Sequence, residues 1–136
     1  MDFVKFSLAG LDDFLVYFAL SSVYVALFLA VYVRATPYRE FELIRQGNIA
    51  AAASLSGALL GFVLPLASTV VHSVNLLDMA IWAAIALVVQ VLVFILVRAL
   101  MPTLVQHIPE GKAASGVFLG SASVAAGILN AACLTY

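Results

Sequence analysis

Four stretches of the sequence, residues 14–33, 46–77, 79–97 and 113–136, contain no aspartate, glutamate, lysine or arginine. A helix rises about 1.5 Å per residue, so about 20 apolar residues cross the ~30 Å hydrocarbon core of a bilayer. Each stretch can supply them. A backbone in lipid must satisfy its own hydrogen bonds, and spans of this length rich in leucine, alanine and valine suit helices better than the short alternating strands of a barrel. The sequence therefore predicts an all-α integral membrane protein with four transmembrane helices, at residues 14–33, 49–71, 79–97 and 113–132.

With 65% hydrophobic and 10% charged residues, nothing is left over for a soluble domain, and 1–136 reads as one four-helix membrane domain. Function must then sit in the bilayer or on the connections. A net charge of −1 without a basic run argues against nucleic acid and against an electrostatic switch on the lipid surface. Membrane lipid is the surrounding partner. One cysteine excludes an intrachain disulfide framework, and Cys133 reads as a small buried apolar residue. The opening MDFVKFSLAGLDDF is a poor match to a positively charged signal-peptide start, so it is expected to be retained.

Orientation follows from the basic residues. Arg34, Arg39, Arg45, Arg98 and Lys112 fall in the first and third connections, against Lys5 alone on the other side, which predicts both termini outside. Aromatic belts then put Trp82, Tyr17 and Tyr136 toward the outer interface and Tyr32 and Tyr38 toward the inner one. Residues 3–11 are expected to lie along the outer surface.

A shift of 64 residues lays Val33-Arg34-Ala35 on Val97-Arg98-Ala99, Gly47 on Gly111, Ala50 on Ala114, Leu55 on Leu119 and Ala58 on Ala122. Pro37 and Pro102 align with a one-residue slip. The chain therefore reads as two tandem helical hairpins of the same orientation, 1–71 and 72–136, related by an axis along the membrane normal. The alternative is that any two apolar hairpins with alanine- and glycine-rich second helices align this well.

The loop 36–48 is the most structured polar segment. Thr36 is expected to cap a short helix beginning at Pro37, Gly47 to end it and Asn48 to cap the second span. Tyr38, Phe41 and Ile44 would rest on the membrane, while Arg39, Glu42 and Arg45 pair on another face. This is an interfacial elbow, or else a polar gate or docking site for a cytoplasmic partner. In the second and fourth spans Gly57/Gly61 and Gly116/Gly120 have the small-xxx-small spacing that lets helix backbones approach, so these helices are expected at the centre.

Pro65 deprives the Gly61 carbonyl of its helical partner and should kink the second span. Gln90, near mid-membrane, and Asn130 are costly in hydrocarbon unless they face protein or a wet cavity. They are interhelical ties or they line a solute path. Catalysis has little support: His72 and His107 fall on opposite sides, and the spans hold no acid, lysine or arginine at depth. No catalytic residue, cofactor or metal site is assigned; His72 with Asp78 supplies too few ligands.

The runs from Thr36-Pro37 to Gly47-Asn48-Ile49-Ala50-Ala51, Ser56 to Gly61, Met101-Pro102, and Gly127 to Thr135 resemble the YjfL-like family of small bacterial inner-membrane proteins over essentially the whole chain. The resemblance implies four spans built from a tandem two-helix unit, an inner-membrane location and an activity that is unknown. Members often accompany envelope-stress and ATP-grasp-type proteins in gene neighbourhoods, which implies an accessory role. The matching features worth testing are Glu42, Asn48, Gly57, Gly61, Pro65, Gly116, Gly120 and Asn130, to which depth adds Gln90. The expectation is an oligomeric accessory component of envelope maintenance or stress response, a homo-oligomer with a dimer first among the forms, and with a cytoplasmic or envelope-stress protein as partner. The alternative is a channel or transporter whose polar path passes Gln90, Asn130 and the Gly61 carbonyl. An enzyme is not expected.

Overall fold

A computed structural model describes residues 2–134, apart from the side chain of Leu104. Seven helices follow one another: α1 Asp2–Leu8, α2 Leu11–Ala35, α3 Glu40–Arg45, α4 Ile49–His72, α5 Leu76–Leu100, α6 Pro102–His107 and α7 Ala113–Cys133. The helices α2, α4, α5 and α7 are long and apolar enough to cross a membrane, as the charge-free stretches predict. Among the described residues there is no strand. Tyr136, expected at the outer interface, and Thr135 lie outside the described residues.

The helix ends follow local chemistry. Asn48 begins α4, its side chain accepting the Ala51 N–H at 3.0 Å. Asn75 does the same for α5 through Asp78 N–H at 2.8 Å, and the Asp78 carboxylate reaches back to accept from Val74 N–H at 3.0 Å. Gly47 ends α3 with φ 86°, the left-handed conformation in which glycine is unstrained. There Gly47 N–H donates to Ile44 O and Asn48 N–H to Leu43 O, both at 2.9 Å, which engages carbonyls that the end of the helix leaves free. Gly111, with φ 78°, closes the later loop in the same way, through Ile108 O and His107 O.

Two helix-end expectations need correction. Thr36 does not cap a helix starting at Pro37; it closes α2, its hydroxyl donating to Val33 O at 3.0 Å. Proline at 37 drives residue 36 out of the helical region, to ψ 144°, so α2 stops and α3 begins only at Glu40. Near the other end, α1 has no buried residue, with Phe3 and Phe6 about four-fifths exposed.

The centre is the α4–α7 pair, as the small residues predict. A methyl group on Gly57 would overlap the backbone of Gly120, one on Gly116 the carbonyl of Ala50, and one on Gly127 the carbonyl of Gly61. Absent Cβ atoms therefore let two backbones touch, where lipid supplies no hydrophobic drive for association. The pairings 50 with 116, 57 with 120 and 61 with 127 rise together, so α4 and α7 run parallel. On the other side Tyr32 meets Phe94 at 4.7 Å between ring centroids and the Tyr24 hydroxyl donates to Ala80 O at 2.6 Å, so α2 and α5 also run parallel. Phe28 stacks on Phe62 at 4.8 Å, which fixes α2 antiparallel to α4 when taken with the Tyr32–Ser54 contact below.

Tyr32 departs from the aromatic-belt expectation. It is buried in the bundle with Phe28 and Phe94, because its hydroxyl finds Ser54 Oγ at 2.9 Å and needs no water. Cys133 departs from its expectation too and is exposed, on the outward face of the last turn of α7.

Candidate functional site at the elbow

The α2–α4 connection folds back on the end of the bundle. Leu43 and Ile44 of α3, with Tyr38, pack on Ala50, Ala51, Ile108 and Leu119, so the apolar side of the elbow is turned to protein and not laid on the membrane as expected. Phe41 alone of the expected trio stays exposed. Glu40 lies three and four residues before Leu43 and Ile44, and that spacing carries it to the same buried face. It is 1% exposed, and neither carboxylate oxygen has a hydrogen-bond partner among the described residues.

Burial pushes the Glu40 carboxyl up to about 7 from an ordinary value of 4.5. The Thr36 hydroxyl pulls the other way, but its proton is engaged by the Val33 carbonyl. Burial and the neighbouring Glu40 also push the Tyr38 phenol up, against the opposing pull of Arg98. Arg98, from the end of α5, donates to the Ala35 carbonyl and so caps the last turn of α2. A cleft of about 400 Å³ opens beside these groups, lined among others by Glu40, Arg39, Glu42 and Arg45. Arg39 and Glu42 pair beside it at 3.7 Å, as predicted, with both side chains more than half exposed. Glu42 is thus a solvated surface residue, and the buried acid is the one the sequence reading passed over.

Asn48 joins the first elbow to the second, the α5–α7 connection at the same end of the bundle. Besides capping α4, its amide donates to Ile108 O at 2.9 Å and Pro109 O at 3.5 Å in the second elbow. Nearby, the His107 ring meets Ser115 Oγ at 3.3 Å.

Deeper in the bundle the amides are partnered across helices. Gln90 Nε2 donates to Ser123 O at 2.9 Å and Asn130 Nδ2 to Ala86 O at 3.3 Å. Gly61 makes room for the first of these, since a Cβ there would stand 2.8 Å from Gln90 Nε2. Its carbonyl, freed by Pro65, faces the backbone of Gly127, and α4 continues as helix through the proline. The Gln90 oxygen is buried without a partner among the described residues. Gly57, Gly61, Gly116, Gly120, Gln90 and Asn130 are therefore gathered on the α4–α5–α7 contacts, Pro65 is buried one turn beyond Gly61, and Asn48 and Glu42 belong to the elbow. Among the described residues no three His, Cys, Asp or Glu side chains are grouped to hold a metal.

A family model described as Domain of Unknown Function (DUF350) matches residues 6–134. The chain belongs to the DUF350 family. Two relatives, both called UPF0719 inner membrane protein YjfL, from Escherichia coli strain K12 and from Escherichia coli O157:H7, are each 44% identical over 129 residues, covering 95% of this chain and 98% of theirs. The resemblance seen in the sequence is thus confirmed. No solved structure matches this DUF350 chain. Membership names no reaction, so the chemistry of a DUF350 bundle must be argued from groups such as Glu40 and Gln90.

Proposed function

We propose that this DUF350 chain is a non-conducting subunit of the bacterial inner membrane that assembles with copies of itself and serves envelope maintenance or stress response as an accessory component. The observation that carries the reading is the donation of Gln90 and Asn130 to the Ser123 and Ala86 carbonyls: groups that would line a path act as ties between helices. The name of the Escherichia coli relatives supports the location. The basic first and third connections support an orientation with both termini in the periplasm. Self-association is supported by α2, which fully buries Phe28 and Tyr32, packs Leu20, Tyr24, Val25 and Leu29 partly against the core, and leaves Phe14, Leu15, Phe18, Val23 and Leu27 to lipid or to a second copy. A tandem origin for 1–71 and 72–136 is supported by the parallel pairs α2–α5 and α4–α7 and by the identical loop endings at Gly47 and Gly111.

Reconstituted vesicles test the reading. Ion and small-solute flux is expected to match protein-free vesicles, the detergent-solubilised particle to exceed one chain in mass, and a deletion strain to lose resistance to envelope-damaging agents. Reporters fused after Arg45 and at the carboxyl end are expected on opposite sides, the latter outside.

The unpartnered Gln90 oxygen favours a second reading, a wet path through the bundle. Flux in the parent that Gln90→Leu abolishes without loss of stability would establish that reading and displace the first.

A further inference from the structure

Glu40 is built into the elbow in a way that neither packing nor pairing explains. A carboxylate only accepts hydrogen bonds, and this one meets no donor among the described residues although it is 1% exposed. Among the described residues none of the groups around it is hydrogen-bonded to it, and most are engaged elsewhere. On α2, the Tyr32 hydroxyl is bonded to Ser54 of α4, and the Thr36 hydroxyl to the Val33 carbonyl. In the linker stands Tyr38, whose phenol both Glu40 and Arg98 influence. From α5, the Arg98 guanidinium is held by the Ala35 carbonyl. Just after α6, the neutral Ile108 packs against the elbow. On α3 itself Arg39 and Glu42 face the cleft and pair with each other, and Arg45 lines it as well. A buried acid with no donor and no counter-ion is stable as the neutral form.

We propose that Glu40 is a proton-binding site that sets whether α3 stays docked on the end of the bundle. As the neutral acid it lies under the elbow. On deprotonation its O–H bond breaks, the proton passes to water, and the carboxylate follows into the solvent at the cleft, lifting the first turn of α3. Gly47 in its left-handed conformation and the Asn48 tie to Ile108 and Pro109 hold the other end of α3, so the movement is confined to residues 37–46. The occupant is a proton and not a divalent cation, because such ions need several oxygen ligands and the nearest acid on α3, Glu42, is paired outward with Arg39. The inference holds whether the bundle conducts or not.

The test uses the full chain in detergent with carboxyl-labelled glutamate, since Glu40, Glu42 and Glu110 are all the glutamates it contains. Carbon NMR of these carboxyls is expected to show one group titrating near pH 7, and that signal to vanish in Glu40→Gln. Amide exchange of residues 36–48, corrected for its intrinsic pH dependence, should rise several-fold across the same transition in the parent and stay slow in Glu40→Gln. The labelled parent needs no substitution, so it decides the matter even if the variant does not fold. Titration of all three carboxyls in the ordinary range, or exchange that responds alike in parent and variant, would overturn the proposal. Restoration of slow exchange above the transition by magnesium or calcium alone would also overturn it, in favour of a cation site.

Discussion

Gly57 of α4 and Gly120 of α7 meet backbone against backbone, so closely that a single methyl on Gly57 would overlap Gly120 Cα. Neither side of this contact is a flexible side chain tip that could move away. Inserting carbon there must push two helices apart, at about 1–3 kcal/mol for small enlargements of a packed site and more for large ones. Gly57→Ala is therefore expected to lower the detergent melting temperature, and Gly57→Leu to lower it further, whereas Leu59→Ala, at a half-buried position, should change it less. Melting of both glycine variants with the parent would mean that α4 and α7 do not pack this way.

The Gln90 amide donates to Ser123 O and leaves its own oxygen unpartnered. Gln90→Leu removes one interhelical hydrogen bond, for which the membrane range is about 0.6–2 kcal/mol, and at the same time removes a buried acceptor that had no donor. The net loss should fall at the low end of that range. Thermal unfolding of the variant measures it, and Asn130→Leu, which loses the donor to Ala86 O without removing an unpartnered buried acceptor among the described residues, is the comparison expected to lose more.

The four spans were legible because lipid imposes a length and a charge rule that local context cannot override, and α4–α7 pairing because small residues at four-residue spacing have few other uses in hydrocarbon. The elbow was not legible in the same way. Reading Tyr38, Phe41 and Ile44 as a membrane-facing stripe assumed that lipid was the nearest apolar surface, but Ala50, Ala51 and Ile108 supply another one, and α3 turns to meet it. That rotation exposes Glu42 and buries Glu40. The signal was present in the spacing of Glu40 to Leu43 and Ile44, yet an acid on an apolar face is ordinarily discounted. Tyr32 was misjudged for a related reason: the belt rule knows nothing of Ser54, which satisfies its hydroxyl inside the bundle.

Asn48 performs two tasks with one side chain, accepting from Ala51 N–H and donating to the Ile108 carbonyl. Asn48→Ala should lose a helix cap, about 0.5–2 kcal/mol, together with the link between the elbows. Asn48→Asp keeps the acceptor and loses the donor. The aspartate variant is therefore expected to retain most of the melting temperature while amide exchange quickens in residues 107–112, and equal losses in both variants would mean that the donated link to Ile108, not the cap, carries the stability.

The raised Glu40 carboxyl gives the whole fold a pH dependence whose sign is fixed. In the unfolded chain the group ionises near the ordinary 4.5, in the folded one near about 7, so between these values the folded state holds more of the proton than the unfolded state does. The contribution to stability is complete below pH 4.5, is lost as pH rises toward 7 and is flat beyond it, with a slope of at most about 1.4 kcal/mol per pH unit for one proton. Glu40→Gln has nothing to ionise at this position. Its melting temperature should therefore run level with pH across that window where the parent's declines, and the gap between the two should be widest above pH 7. Glu42→Gln, at an exposed position paired with Arg39, should leave the parent's decline in place. Parallel curves for the parent and Glu40→Gln would show that the carboxyl is ionised beneath the elbow, with a donor supplied from outside the chain.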